Sequence, residues 1–317
     1  MNKQLRVIFM GTPEFAVAQL EEILKSQHKV IAVVTTPDKP AGRGQKLSES
    51  AVKKCALEHQ LPVLQPEKLK NPEFISQLRD LQPDAIVVVA FRMLPKEVWS
   101  LPKLGTFNLH ASLLPQYRGA SPINFALING DKESGVTTFL IDEKIDTGKM
   151  LLQAKIPIDS DDDAGSLHDK LMNLGRKLVI ETLDGLAEGN LKPQQQPARN
   201  EIKYAPKIFK EDCQIDWEQP LEKIHNLVRG LSPYPAAFTR LHAGNSSKIL
   251  KIFKGHYKEE KHILPVGRVV IEGKKTLKIA GKDGFYFPLI VQLEGKKQMN
   301  VPDFLNGLAE KENLTVS

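Results

Sequence analysis

Cysteine is nearly absent from this 317-residue chain: only Cys55 and Cys213 occur, far apart. Two distant thiols exclude a disulfide framework and a cysteine-built zinc site, and they fit a reducing, cytoplasmic compartment. Long hydrophobic runs are missing as well. The longest, AIVVVAF at 85–91, is far too short to span a bilayer, so no membrane association is expected. MNKQLRVIFMG at the N-terminus has no h-region or cleavage site and reads as a first strand, not a signal peptide. There is no serine elbow, no HExxH pair and no Walker loop, and no metal is expected. After the first strand one glycine stands where a dinucleotide fingerprint needs three, and no acidic residue closes the second strand. Neither a nicotinamide nor a flavin cofactor is therefore expected.

What is present is material for two domains, with an ordinary apolar share of 41% and a mean hydropathy of −0.28. Charge is unevenly placed. Residues 1–190 carry 23 Lys and Arg against 24 Asp and Glu, whereas residues 191–317 carry 21 against 14. The whole basic excess lies in the last 127 residues, which makes that part the candidate for holding a polyanion. Nothing in the sequence demands more than a monomer.

Taken in order, LRVIFM at 5–10 is an apolar strand. Thr12 is a plausible N-cap and Pro13 a first helical residue for a helix running to about Lys25, with a second strand at 29–36. This βαβ opening predicts an α/β domain with a mostly parallel, Rossmann-like sheet and helices on both faces. TPDKPAGRGQKL at 36–47 reads as an exposed loop, in which Lys39, Arg43 and Lys46 are interleaved with glycines that allow close approach to phosphates. IVVVA at 86–90 is a central parallel strand, buried on both faces. Strands follow at 105–110, 135–141 and 150–158, the last alternating like an edge strand. A long amphipathic helix spans about 164–188, with Leu167, Leu171, Leu174, Leu178 and Leu183 on its apolar stripe.

From Gly189 onward three prolines, three consecutive glutamines and no hydrophobic period mark a linker. Beyond it come a helix near 219–231 and short strands at roughly ten-residue spacing, which predict a small antiparallel, OB-like β-barrel. The expected division is residues 1–189, a linker at 190–208, and a basic barrel domain at 209–317.

The chemistry concentrates in TFNLHASLLPQYRGASP at 106–122 and IDTG at 145–148. Asn108 and His110 stand two residues apart, the side-chain period of a strand, so both leave on one face. A polar pair at the end of an apolar strand is where an open α/β sheet puts its chemistry. With Asp146 the set suits acyl-type transfer without a covalent intermediate. The Asn amide can donate to an oxyanion, the imidazole can donate or shuttle a proton, and the carboxylate can orient or charge it and help take the proton from an attacking amine.

Asn-x-His, SLLPQYRGASP, GVTTFLID and DTG together resemble the folate-dependent formyltransferases that use 10-formyltetrahydrofolate. The resemblance implies that Asn108, His110 and Asp146 are the catalytic set and that Ser112, Leu113, Leu114 and Pro115 form the tetrahydrofolate-binding loop. Three further features, RVIFMGTPEFAV, the 36–47 loop, and IDW at 215–217 with RGLSPYPAAFT at 229–239, resemble the branch of that family acting on aminoacyl-tRNA. This implies methionyl-initiator tRNA as acceptor, for translation initiation. Arg43 would contact its acceptor stem, with Lys39 and Lys46 beside it, and the barrel would bind the tRNA. One stretch departs from the family pattern, since 90–95 (AFRMLP) is one residue shorter than the usual A-Y-G-x-I-L-P of the pterin-lining segment. Two alternatives stay open: a sugar-nucleotide N-formyltransferase, and a non-catalytic RNA-binding module on the same scaffold.

Overall fold

The computed structural model describes residues 4–41, 46–198, 201–244, 246–308 and 310–317. The chain forms two compact units. One comprises Met1–Gly119, Ser134–Ile156 and His168–Tyr204; the other comprises Ala120–Glu133, Pro157–Leu167 and Ala205–Ser317. The units therefore do not follow chain order, and two short internal stretches belong with the C-terminal part. Among the described residues no helix is long and apolar enough to cross a membrane.

The first unit is built on a seven-stranded sheet in the order Met150–Pro157, Glu133–Leu140, Thr106–His110, Ala85–Val89, Arg6–Gly11, Lys29–Val34, Val63–Leu64. The last five strands in this order pair in parallel, and Glu133–Leu140 runs antiparallel to Thr106–His110. Ala85–Val89 is buried throughout, as a centre strand covered on both faces must be. Met150–Pro157 alternates between covered and exposed residues and lies at the edge.

The helix Ala164–Glu188 occupies the span its leucine stripe predicts, with Leu171, Leu178 and Leu183 buried and Leu174 half-buried. A Cβ added at Gly175 would stand 2.7 Å from Leu109 Cδ2, so this helix lies close against one face of the Thr106–His110 strand. Because side chains alternate along a strand, Phe107 and Leu109 face the core while Asn108 and His110 leave on the other side.

Two local expectations are corrected. The first helix begins at Glu14, with Pro13 and not Thr12 as its cap residue, and no side chain caps it. The Pro13 carbonyl instead accepts from the N–H groups of Ala16 (2.9 Å) and Val17 (3.3 Å). The 36–47 stretch is not a simple loop, for Lys39–Ala41 and Lys46–Ser48 pair as an antiparallel hairpin. Its base is tied down by the Lys53 ammonium on Asp38 and by Gln65 Nε2 donating to Thr36 O at 2.9 Å.

In the second unit the strands run in the order Val269–Glu272, Thr276–Ala280, Gly284–Leu293, Ser246–Glu259, Ala237–Ala243, Thr315–Val316. The ribbon closes on itself: Val269 N–H donates to Leu314 O (3.0 Å) and Val316 N–H to Gly267 O (2.8 Å). Closure thus pairs the ribbon's first strand region with its last. Trp217, Leu250, Ile252 and Tyr286 fill the interior, with Trp217 Nε1 donating to Thr239 Oγ1 at 3.0 Å. The helix Leu221–Leu231 packs on this core, and Pro122–Ile128 packs on that helix, where Asn124 Nδ2 donates to Gly230 O at 2.8 Å.

His225, on the same helix, has its ring 5.6 Å from that of Tyr257, and its Nδ1 is buried without a partner. Burial, then Arg229 and His256, hold its pKa below the ordinary 6.5. The unfolded chain therefore binds the extra proton first as pH falls. The contribution of neutral His225 is present above about pH 6.5 and is lost as pH drops below it. Urea midpoints should fall between pH 7.5 and 5.5, and His225→Gln should narrow the difference. An unchanged difference would locate the sensitivity elsewhere.

Candidate active site

The site is assembled from the C-terminal end of one strand and the two loops beside it, all within the first unit. Asn108 pairs in register with Val88 on one side and Phe139 on the other, so its half-buried side chain leaves an interior strand of the sheet. His110 is buried, 6% exposed. Its Nε2 lies 2.8 Å from the carbonyl oxygen of Tyr117. A carbonyl only accepts, so Nε2 carries the hydrogen and Nδ1 is the nitrogen left for chemistry. Nδ1 stands 3.8 Å from Asp146 Oδ2, which itself accepts the Gly119 N–H at 2.9 Å. The fold thus brings His110 and Asp146 together, with Asn108 two residues from His110 on the same strand.

Asp146 owes its place to a tight loop between two strands. Leu140 N–H closes the loop on Lys149 O (2.9 Å), and Asp142 Oδ1 accepts from Lys144 N–H (3.0 Å) and Thr147 Oγ1 (2.8 Å). Asp146 itself is left-handed, with φ +55°, a conformation that Asp tolerates better than most residues.

The 112–115 loop is turned largely inward. Ser112 is fully buried and its hydroxyl donates to Gln116 O at 2.6 Å; Leu114 and Pro115 are buried too, and Leu113 is half-buried. Thr137 Oγ1 bridges the loop by donating to Ser112 O (2.7 Å) and accepting from Leu114 N–H (3.2 Å). A Cβ at Gly135 would come within 2.4 Å of Leu113 Cδ2, so that glycine makes room for the loop. The loop's visible work is to carry Tyr117 round to the imidazole.

In the shortened 90–95 segment, Ala90 takes φ +47°. Arg92 donates to the carbonyls of Pro66 (2.8 Å) and Glu67 (3.0 Å), with its guanidinium 5.3 Å from the Phe91 ring centre. Residues 91–94 leave the sheet beside the Asn108 strand, and among the described residues their main-chain groups have no hydrogen-bond partner.

Lys39 is exposed on the hairpin, Lys46 lies on its second strand, and Arg43 lies outside the described residues. The fold adds residues that sequence reasoning missed. Gln196, from the stretch read as a linker, donates to the main chain of Asp146 and Gly148, and Arg118 donates to Gln196 in turn. A glutamine among three gives no local signal of such a contact.

The chain belongs to the formyl transferase family: the model described as Formyl transferase matches residues 4–183, and that described as Formyl transferase, C-terminal domain, matches 207–309. It is 52% identical over 310 residues to the methionyl-tRNA formyltransferase of Bacteroides fragilis, covering 96% of each chain. It is also 52% identical over 314 residues to the methionyl-tRNA formyltransferase of Flavobacterium johnsoniae, covering 99% of each. Its fold is similar to that of an N-formyltransferase from Helicobacter canadensis in complex with folinic acid and dTDP-3-aminofucose. The TM-score is 0.66 at 22% identity, over 93% of this chain and 100% of that one.

Proposed function

We propose that this protein transfers the formyl group of 10-formyltetrahydrofolate to the free amino group of methionyl-initiator tRNA. The observation that carries this is identity of about half the residues, along nearly the whole chain, with proteins named for that reaction. Formyl-donor binding and catalysis are assigned to residues 1–189, and tRNA binding to the basic barrel at 209–317, joined by 190–208. The charge excess of the last 127 residues supports that division.

As the amine attacks the formyl carbon, the C=O electron pair moves onto oxygen, and the Asn108 amide donates to it. The amine's proton passes to His110 Nδ1, because Nε2 already holds a hydrogen toward Tyr117. The imidazolium so formed lies beside the Asp146 carboxylate, which stabilises it. Collapse of the tetrahedral adduct breaks the bond to the tetrahydrofolate nitrogen, which takes the proton from His110 Nδ1 as it leaves. Residues 112–115 and 91–94 border the donor, while Arg43, Lys39 and Lys46 are assigned to the acceptor stem.

Purified protein given 10-formyltetrahydrofolate should formylate methionyl-tRNA and not a sugar-nucleotide amine; the reverse preference overturns the reading. Binding of initiator tRNA should weaken steeply with salt, with a log–log slope of roughly 0.7–0.9 per phosphate engaged. A flat titration would remove the basic barrel from the acceptor's binding surface.

A further inference from the structure

Gln196 is the second of two positions, two residues apart, at which the 190–208 stretch is tied to the first unit. Two residues earlier, Gln194 and Met150 exchange main-chain hydrogen bonds of 2.8 Å in each direction, which fixes the register. The Gln196 amide then reaches the Asp146 loop. Its Nε2 donates to Asp146 O at 2.8 Å and to Gly148 O at 3.0 Å, while its Oε1 accepts from Arg118 Nη2 at 2.6 Å and Nε at 3.2 Å. All four hydrogen-bonding positions of the amide are filled. Its orientation admits no reversal, since a flipped amide would set oxygen against two carbonyls and NH2 against a guanidinium. Asp146 is meanwhile held at φ +55° and reaches His110 only through a 3.8 Å approach, so its loop needs an external brace.

We infer that Gln196 is a positioning residue for formyl transfer, acting on Asp146 through the main chain of the 146–148 loop. The inference rests on the reading of Asp146 given above. Neighbouring Gln195 is exposed and makes no such contact, which supplies the control.

Gln196→Glu separates bracing from simple anchoring. A glutamate keeps and strengthens the contact to Arg118, but turns a carboxylate oxygen toward the carbonyls of Asp146 and Gly148. Gln196→Ala and Gln196→Glu are expected to lower kcat by about tenfold to a hundredfold, as an ångström-scale misplacement does. KM for both substrates should hold, the pH profile of kcat should change, and Gln195→Ala should match the parent protein. A Gln196→Glu enzyme with unchanged kcat and pH profile overturns the inference, because the linker would then need only Arg118. Asp146→Asn is run alongside. If it turns over normally, the reading of the site fails; if it collapses while Gln196→Glu is unaffected, the positioning role alone fails. Thermal unfolding of each variant separates loss of kcat from loss of fold.

Discussion

Asn108→Ala should lower kcat by about 10²–10³-fold, equivalent to roughly 2.7–4 kcal/mol, with little change in either KM. The amide is a neutral donor two residues from His110 on the same strand, and the charge it meets exists only as the adduct forms. Interactions made only in the transition state appear in kcat and not in binding. The side chain is only half-buried, so thermal unfolding should move little. Asn108→Asp should fare worse, since it sets an acceptor with a negative charge against the developing oxyanion. Single-turnover rates on methionyl-tRNA provide the measurement, and an Asn108→Ala rate within a fewfold of the parent's would remove Asn108 from the chemistry.

The second large effect comes from a residue with no side chain. A Cβ at Gly148 would lie 1.7 Å from the carbonyl oxygen of Leu140 and 2.9 Å from its carbon. Those are backbone atoms, so the loop must move. Gly148→Ala should cost about 1–3 kcal/mol of stability through overpacking. The displacement also strikes the carbonyl that Gln196 holds, two residues from Asp146. Turnover should therefore fall further than stability does, by up to about a hundredfold. Urea midpoints and kcat measured on one preparation test this. Reduced stability with normal kcat would show that the loop can shift without taking Asp146 along.

Much of this architecture was legible because it is written in local periods. The apolar run read as a centre strand at 86–90 is one, shifted by a residue to Ala85–Val89, and Asn108 and His110 stand two apart on one strand, the period that sets both on one face. The leucine stripe from Leu167 to Leu183 marked a helix over about 164–188, which is observed as Ala164–Glu188. DTG by itself is a common turn signal, and Asp146 gained weight only beside Asn108 and His110. What escaped was whatever depends on distant partners. The 36–47 stretch lacks a hydrophobic period, yet cross-strand pairing and Lys53 on Asp38 make a hairpin of it. Gln196 sits in polar low-complexity sequence, and only a side chain 78 residues away in sequence, Arg118, reveals its purpose. The inward turn of Ser112 was hidden for the same reason: its partner is a main-chain carbonyl that any residue could supply.

The composition of the second unit has a consequence for how the chain becomes itself during synthesis. Residues 122–128 leave the ribosome roughly a hundred residues ahead of the helix Leu221–Leu231 on which they pack, and the barrel's ends meet through 314–316. Such long-range closures form slowly, because the entropy of the intervening loop is lost before any contact compensates for it. The nascent chain thus carries an unmatched helix through about a third of its elongation. A fragment ending before Ala205 would keep that helix permanently orphaned, with Ile128 stripped of its cover.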